Sequence, residues 1–197
     1  MGSAMPQPAP VTKGSQGAGA RRSLKSRLEA LLLFPLLGLL VYLAAKSMIE
    51  PEPRGGLRPG ERPPALAAAL WIGEEPPKDL FAQRRVVVLH AWFADCPHCH
   101  REAPELVSAY RKYQGAGVLF VGLSPDSPAR LDDCREFLTL HGITWANGLG
   151  AIETLEALLT DGAYFPAAWV IGADGKVIWN SDQREPLDAA IARALRR

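Results

Sequence analysis

The sequence predicts an α/β domain in which a central mixed β-sheet is flanked by helices, and three observations carry that expectation. Two nearly continuous apolar runs, at 85–93 and 117–123, are each followed by a segment of helical character. Such runs suit strands covered on both faces, and their alternation with helices implies a right-handed crossover between parallel strands. Near the end of the chain two shorter apolar runs flank Gly172-Ala173-Asp174-Gly175, the composition of a hairpin turn, so part of the sheet is antiparallel. At the junction of the first run with its helix stands Cys96-Pro97-His98-Cys99.

Taken in order, the chain opens with residues 1–29, rich in Gly, Pro, Ala and Ser and lacking apolar periodicity, which read as a disordered basic cytoplasmic tail. Met1-Gly2-Ser3-Ala4-Met5-Pro6 is a poor myristoylation signal, because proline takes the place of Ser or Thr at the sixth position. Sixteen apolar residues follow from Ala30 to Ala45, preceded by Arg21, Arg22, Lys25 and Arg27 and followed closely only by Lys46. That asymmetry keeps the N-terminus in the cytoplasm and sends the rest across the membrane. The length lies between a signal-peptide core and a spanning helix, and cleavage sites near Ala44 to Ser47 are poor. Residues 30–47 are therefore read as a retained transmembrane signal anchor. Residues 48–64, with five prolines and three glycines from Glu50 to Pro64, read as an extended linker.

The folded domain is expected over 65–197. Residues Ala65 to Ile72 read either as a short first strand or as a few helical turns. Arg85 to Phe93 is a buried strand, and Pro97 to Tyr113 a helix with Pro97 at its start and Pro104 inside it. Gly117 to Leu123 is the second strand. Ser127-Pro128 opens a helix running to His141, followed by Ile143 to Trp145 and a short helix at Ile152 to Leu159. Ala167 to Ile171 and Lys176 to Asn180 form the hairpin. Pro186 to Arg197 closes the chain with a helix that is apolar at Leu187, Ala190, Ile191 and Leu195.

Across 197 residues the formal net charge is +1, which gives no overall nucleic-acid signal. The chemistry lies in the two cysteines. A cysteine at the first turn of a helix faces unpaired N–H groups and the positive end of the helix dipole, which favour its thiolate. The second cysteine, three residues on, lies about one turn away and is placed to attack a mixed disulfide formed by the first.

Val86 to Pro104 (VVVLHAWFADCPHCHREAP), Val118 to Pro125 (VLFVGLSP) and Tyr164 to Val177 (YFPAAWVIGADGKV) together resemble the thioredoxin superfamily, and within it the membrane-anchored thiol-disulfide oxidoreductases of the TlpA/ResA/DsbE type. The likeness covers roughly residues 75 to 197. It implies a thioredoxin-like fold, a redox-active Cys96–Cys99 disulfide, a cis-proline at Pro166 beside the dithiol, and a substrate-binding role for Phe165 and Pro166. It implies disulfide-containing exported proteins as substrates, a membrane or periplasmic thiol-disulfide donor, and a catalytic domain outside the bacterial inner membrane. No cofactor, metal or nucleic acid is expected.

The setting of the dithiol departs from the family pattern. Asp95 stands where an aromatic residue usually precedes the first cysteine, and His90 replaces the buried acid of thioredoxin. Asp95 opposes thiolate formation at Cys96, whereas a protonated His98 favours it. The Pro97-His98 pair is shared with the oxidant DsbA, while the overall architecture resembles the reductants. His90 is read either as a proton relay for Cys99 or as a hydrogen-bonded core histidine. Reduction of partner disulfides is the leading expectation, with DsbA-like oxidation second.

Other readings use the same residues. Cys96-Pro97-His98-Cys99-His100 matches a haem-attachment motif, although Met1, Met5 and Met48 all precede the domain and only His141 remains as a second axial candidate. Zinc would require one helix turn to close a tetrahedron. A purely structural disulfide would constrain little chain. A peroxidase would use a single cysteine in a Thr/Ser-rich setting. Cys134 falls at an apolar position of its helix and reads as a small buried hydrophobe, and His141 as a favourable charge at that helix's C-terminus.

Overall fold

The computed structural model describes residues 35–43, 56–159 and 164–196. The expected tail at 1–29, the ends of the 30–47 segment and the start of the 48–64 linker lie outside the described residues. Residues 35–43 form helix α1, whose leucines are all more than half exposed. Its nine residues rise about 14 Å against the roughly 30 Å of a hydrocarbon core. Among the described residues no helix is long and apolar enough to cross a membrane.

The compact unit that contains residues 56–159 and 164–196 holds one six-stranded sheet. Its strands are β1 (Leu70–Ile72), β2 (Val87–Ala91), β3 (Leu119–Ser124), β4 (Ala146–Leu149), β5 (Ala167–Ile171) and β6 (Val177–Asn180), in the spatial order β1-β4-β3-β2-β5-β6. β2, β3 and β4 run parallel. β1 pairs antiparallel with β4, β5 with β2, and β6 with β5, which gives the mixed sheet expected. The ambiguous opening segment thus contributes an edge strand, and the fourth strand lies at 146–149, just beyond Ile143 to Trp145.

All five residues of β2 are buried because both of its faces are covered. Val88 and Trp92 join a core with α2 (Pro97–Tyr113), α3 (Leu131–His141) and α5 (Leu187–Ala194), through Leu106, Phe137 and Ile191 among others. Val87, Leu89 and Ala91 face the opposite core, where Leu155 and Leu158 of α4 (Ile152–Leu158) pack. The period-2 alternation of the strand is what divides these residues between two cores.

Most elements shift by a few residues from the sequence reading, β2 ending at Ala91 rather than Phe93 for example, and two differences are larger. Ser127-Pro128 opens a 3-10 turn at Pro128–Arg130, and the α-helix begins only at Leu131. The chain at 56–64, read as linker, lies on the domain. Leu57 is buried, its N–H donates to the Leu158 carbonyl at 2.8 Å, and Gly60 and Glu61 exchange backbone hydrogen bonds with Val177 on β6. Proline and glycine made this stretch look like a spacer, but one apolar anchor and an otherwise unpaired sheet edge hold it in place.

Candidate active site

The dithiol stands beyond the C-terminal end of β2, where parallel strands present their loops to ligands. Cys96 is the N-cap of α2, in extended conformation, with Pro97 in the first turn. Cys96 and Cys99 are joined in a disulfide. The Cys99 N–H donates to Cys96 Sγ at 3.0 Å, a hydrogen bond that also suits a thiolate. Cys96 is 2% exposed and Cys99 fully buried, so of the two only Cys96 retains any surface for a partner.

The Phe165–Pro166 bond is cis, as the resemblance implies, and the Phe165 ring meets Phe93 edge-on at 5.4 Å. Phe93 lies three residues before Cys96, so the two aromatics form a half-buried apolar pair on the loops that flank the dithiol. Phe93 had no role in the sequence reading.

His98 is exposed, and its Nδ1 accepts from the Arg101 guanidinium at 2.6 Å. The Arg101 guanidinium thus lies against His98 in the first turns of α2. His90 lies on β2, on the same face as Val88 and Trp92, and is 2% exposed with no hydrogen-bond partner at Nε2. Burial pushes its pKa down to about 3. A base held so low is a poor store for the Cys99 proton, which weighs against the relay, and the unpartnered Nε2 departs from the hydrogen-bonded core histidine that was the alternative.

Asp95 is exposed, but it is not an isolated charge, because its carboxylate pairs with Arg130 Nη2 at 2.8 Å. Arg130 also contacts Asp126 at 3.0 Å and Asp133 at 2.9 Å. Its pKa is raised chiefly by the Asp133 hydrogen bond, with the charges of Asp126 and Asp95 acting in the same direction against desolvation. Asp126 is the hub of this cluster. Its Oδ2 accepts from the Ala94 N–H at 2.7 Å and from Ser124 Oγ at 3.1 Å, and the Cys134 thiol lies 3.6 Å away. Burial first, and Asp126 second, push the Cys134 thiol up to about 12, which fits an unreactive core cysteine.

The other side of Ala94 is held by histidines. His100 Nε2 lies 3.1 Å from the Ala94 carbonyl and its Nδ1 lies 2.8 Å from His141 Nε2. A carbonyl only accepts, so Nε2 of His100 carries a hydrogen; in the neutral ring Nδ1 then accepts from His141. His141, expected as a charge at the helix end, instead has its pKa lowered, by burial first and by His100 second. Both nitrogens of His100 are engaged within the fold, which leaves no free donor for a haem iron. Among the described residues no group of three or more His, Cys, Asp or Glu is placed to hold a metal ion.

Asp126 and Arg130 escaped the sequence reading as parts of the site, and His100 and His141 entered the site only as candidate haem ligands. A signal was present in Ser124-Pro125-Asp126, a polar turn at the end of a buried parallel strand, the position where such sheets collect functional groups.

Structural comparison identifies close matches of fold. A thiol:disulfide interchange protein of Bacteroides sp. superimposes with a TM-score of 0.57 at 20% identity, covering 72% of this chain and 92% of that one. A thioredoxin family protein, a thiol:disulfide interchange protein from Chlorobium tepidum TLS, gives 0.53 at 18% identity, with 69% and 99% covered. A putative thiol:disulfide interchange protein DsbE from Chlorobium tepidum gives 0.54 at 22% identity, with 71% and 99% covered. At these identities the likeness establishes the thioredoxin-like fold expected from the sequence. No curated protein matches the sequence. A model of the AhpC/TSA family matches residues 72–180, from β1 through the dithiol to the end of β6. Because that match spans more than half of the 197 residues, this chain belongs to the AhpC/TSA family.

Proposed function

We propose that the protein is a thiol-disulfide oxidoreductase that reduces disulfides of exported partner proteins. In the reduced form the Cys96 thiolate attacks a partner disulfide, forming a mixed disulfide and expelling one partner thiolate. Cys99 loses its proton and attacks Cys96 Sγ, which releases the second partner thiolate and leaves the Cys96–Cys99 disulfide. Two electrons pass to the partner, whose two sulfurs take up protons. The observation that carries this reading is the helix-terminal disulfide, with the Cys99 N–H directed at Cys96 Sγ. The fold matches that are themselves thiol:disulfide interchange proteins support the same reading.

Cys96→Ser is expected to lower insulin disulfide reduction at least a hundredfold, and retained activity would place the chemistry elsewhere. The reduction potential of the pair sets the direction. A value near about −270 mV supports a reductant, and one near about −120 mV supports the DsbA-like oxidant that Pro97-His98 suggests. Peroxide consumption without a thiol acceptor would favour a peroxidase instead.

The same proposal places the domain outside the bacterial inner membrane, tethered through residues 30–47 and served by a membrane or periplasmic thiol-disulfide donor. The basic residues before Ala30 and the apolar run after it support this. Cell fractionation with protease protection tests it, and a soluble cytoplasmic protein would exclude it.

A further inference from the structure

The two residues immediately before Cys96 are tied to one ionic cluster. The Ala94 N–H is held by Asp126, and the Asp95 side chain is held by Arg130, which also grips Asp126. Asp126 lies in the loop after β3, and Arg130 ends the 3-10 turn before α3. One guanidinium thus bridges the loop that carries the attacking cysteine and the segment that follows the neighbouring parallel strand. It also receives Asp133, so three carboxylates converge on it.

We propose that Arg130 is a positioning residue for the dithiol reaction: by pairing Asp95 against the Asp126 hub, it holds the loop before Cys96 and cancels the charge next to the attacking sulfur. Without Arg130, Asp95 would be an unpaired anion adjacent to a developing thiolate, with Asp126 and Asp133 close behind it. The other ionisable groups around the cysteine do not supply this compensation. His98 accepts from Arg101, His90 is buried within β2, and His100 is engaged with His141 and with the Ala94 carbonyl. Arg101 and the helix terminus favour the thiolate, but neither contacts Asp95 in the observed ion pairs. The position of Arg130 therefore answers how an acid can stand directly before the first cysteine of a dithiol.

The inference rests on the reading of Cys96 as the attacking thiol, and the two fail differently. Alkylation of Cys96 by iodoacetamide in the reduced protein, followed by peptide mass spectrometry across a pH series, reports the thiolate itself. Insulin reduction by wild type and Cys96→Ser reports the activity. Arg130→Gln is expected to move the midpoint of Cys96 alkylation up by about one pH unit and to slow the reaction at pH 7 about tenfold. Asp95→Asn is expected to move the midpoint down. In the Asp95→Asn background, Arg130→Gln should shift it by less than half as much, since most of what Arg130 offsets is then gone.

An unmoved midpoint in Arg130→Gln, or the same shift with and without Asp95, would overturn the proposal. Should Arg130→Gln fail to give a native circular dichroism spectrum, Asp95→Asn decides. Its side chain is 72% exposed, so its replacement is expected to keep the native circular dichroism spectrum, and an upward or absent shift there overturns the proposal equally. Insulin reduction that survives Cys96→Ser would sink the activity reading whatever the midpoints do.

Discussion

His90 shows how a single buried side chain couples fold to pH. Its folded pKa, about 3, lies well below the value near 6.5 of an unperturbed histidine. Between those values the unfolded chain binds a proton that the native protein refuses. The stability associated with the neutral ring is therefore complete above about pH 6.5 and is lost as pH falls toward 3, at up to about 1.4 kcal/mol per pH unit. His90→Leu is expected to flatten the acid limb of urea midpoints measured between pH 6 and pH 4. An unchanged limb would mean that the native protein accepts this proton freely. The residue type at position 90 was legible in the sequence, and so was its place on a strand, but neither revealed that Nε2 lacks a partner.

At the scale of elements, the loop before the dithiol is braced by the strands and helices behind it. Trp92, one residue beyond β2, stacks on Phe137 of α3 at 4.5 Å and donates from Nε1 to Asn147 Oδ1 on β4 at 3.0 Å. That hydrogen bond passes over Gly122 of β3, where an added Cβ would collide with the Asn147 amide and lie 2.9 Å from Trp92 Nε1. Gly122→Ala is expected to cost about 2 kcal/mol in urea unfolding, with the loss reduced in an Asn147→Ala background. Full additivity of the two changes would show that the clash is not the cause. The strand itself was readable from GVLFVGL, but the need for glycine at one position was not. It arises from a tryptophan just beyond β2 and an asparagine on β4 that meet over it.

For the molecule as a whole, the sheet separates two apolar cores, and the chain before Ala65 helps to close one of them. Leu57 packs in the core beneath α4, and residues 60 and 61 cover the β6 edge. Removing residues 1–64 is therefore expected to lower stability by about 2 kcal/mol relative to a chain that begins at Glu52, visible as a fall of several degrees in Tm. Equal melting of the two truncations would reduce this stretch to a passive linker. Composition misjudged the boundary because Gly and Pro report local flexibility, whereas Leu57 is held by contacts with residues about a hundred positions away.

The cis-proline position came only with the family resemblance, while by itself the sequence determined the α/β class, the two buried parallel strands, the hairpin and the dithiol at a helix start. Each depends on residues close together in the chain, where periodicity, turn chemistry and short spacing are visible. Only the tertiary structure decided that Asp95 is paired, that Asp126 and the histidine pair grip Ala94 from opposite sides, and that His90 is held neutral. Asp126 meets Ala94 across 32 positions and His100 meets His141 across 41. Contacts over such separations are created by the packing of β3 and α3 against the dithiol loop, and burial is a property of that packing rather than of any local pattern.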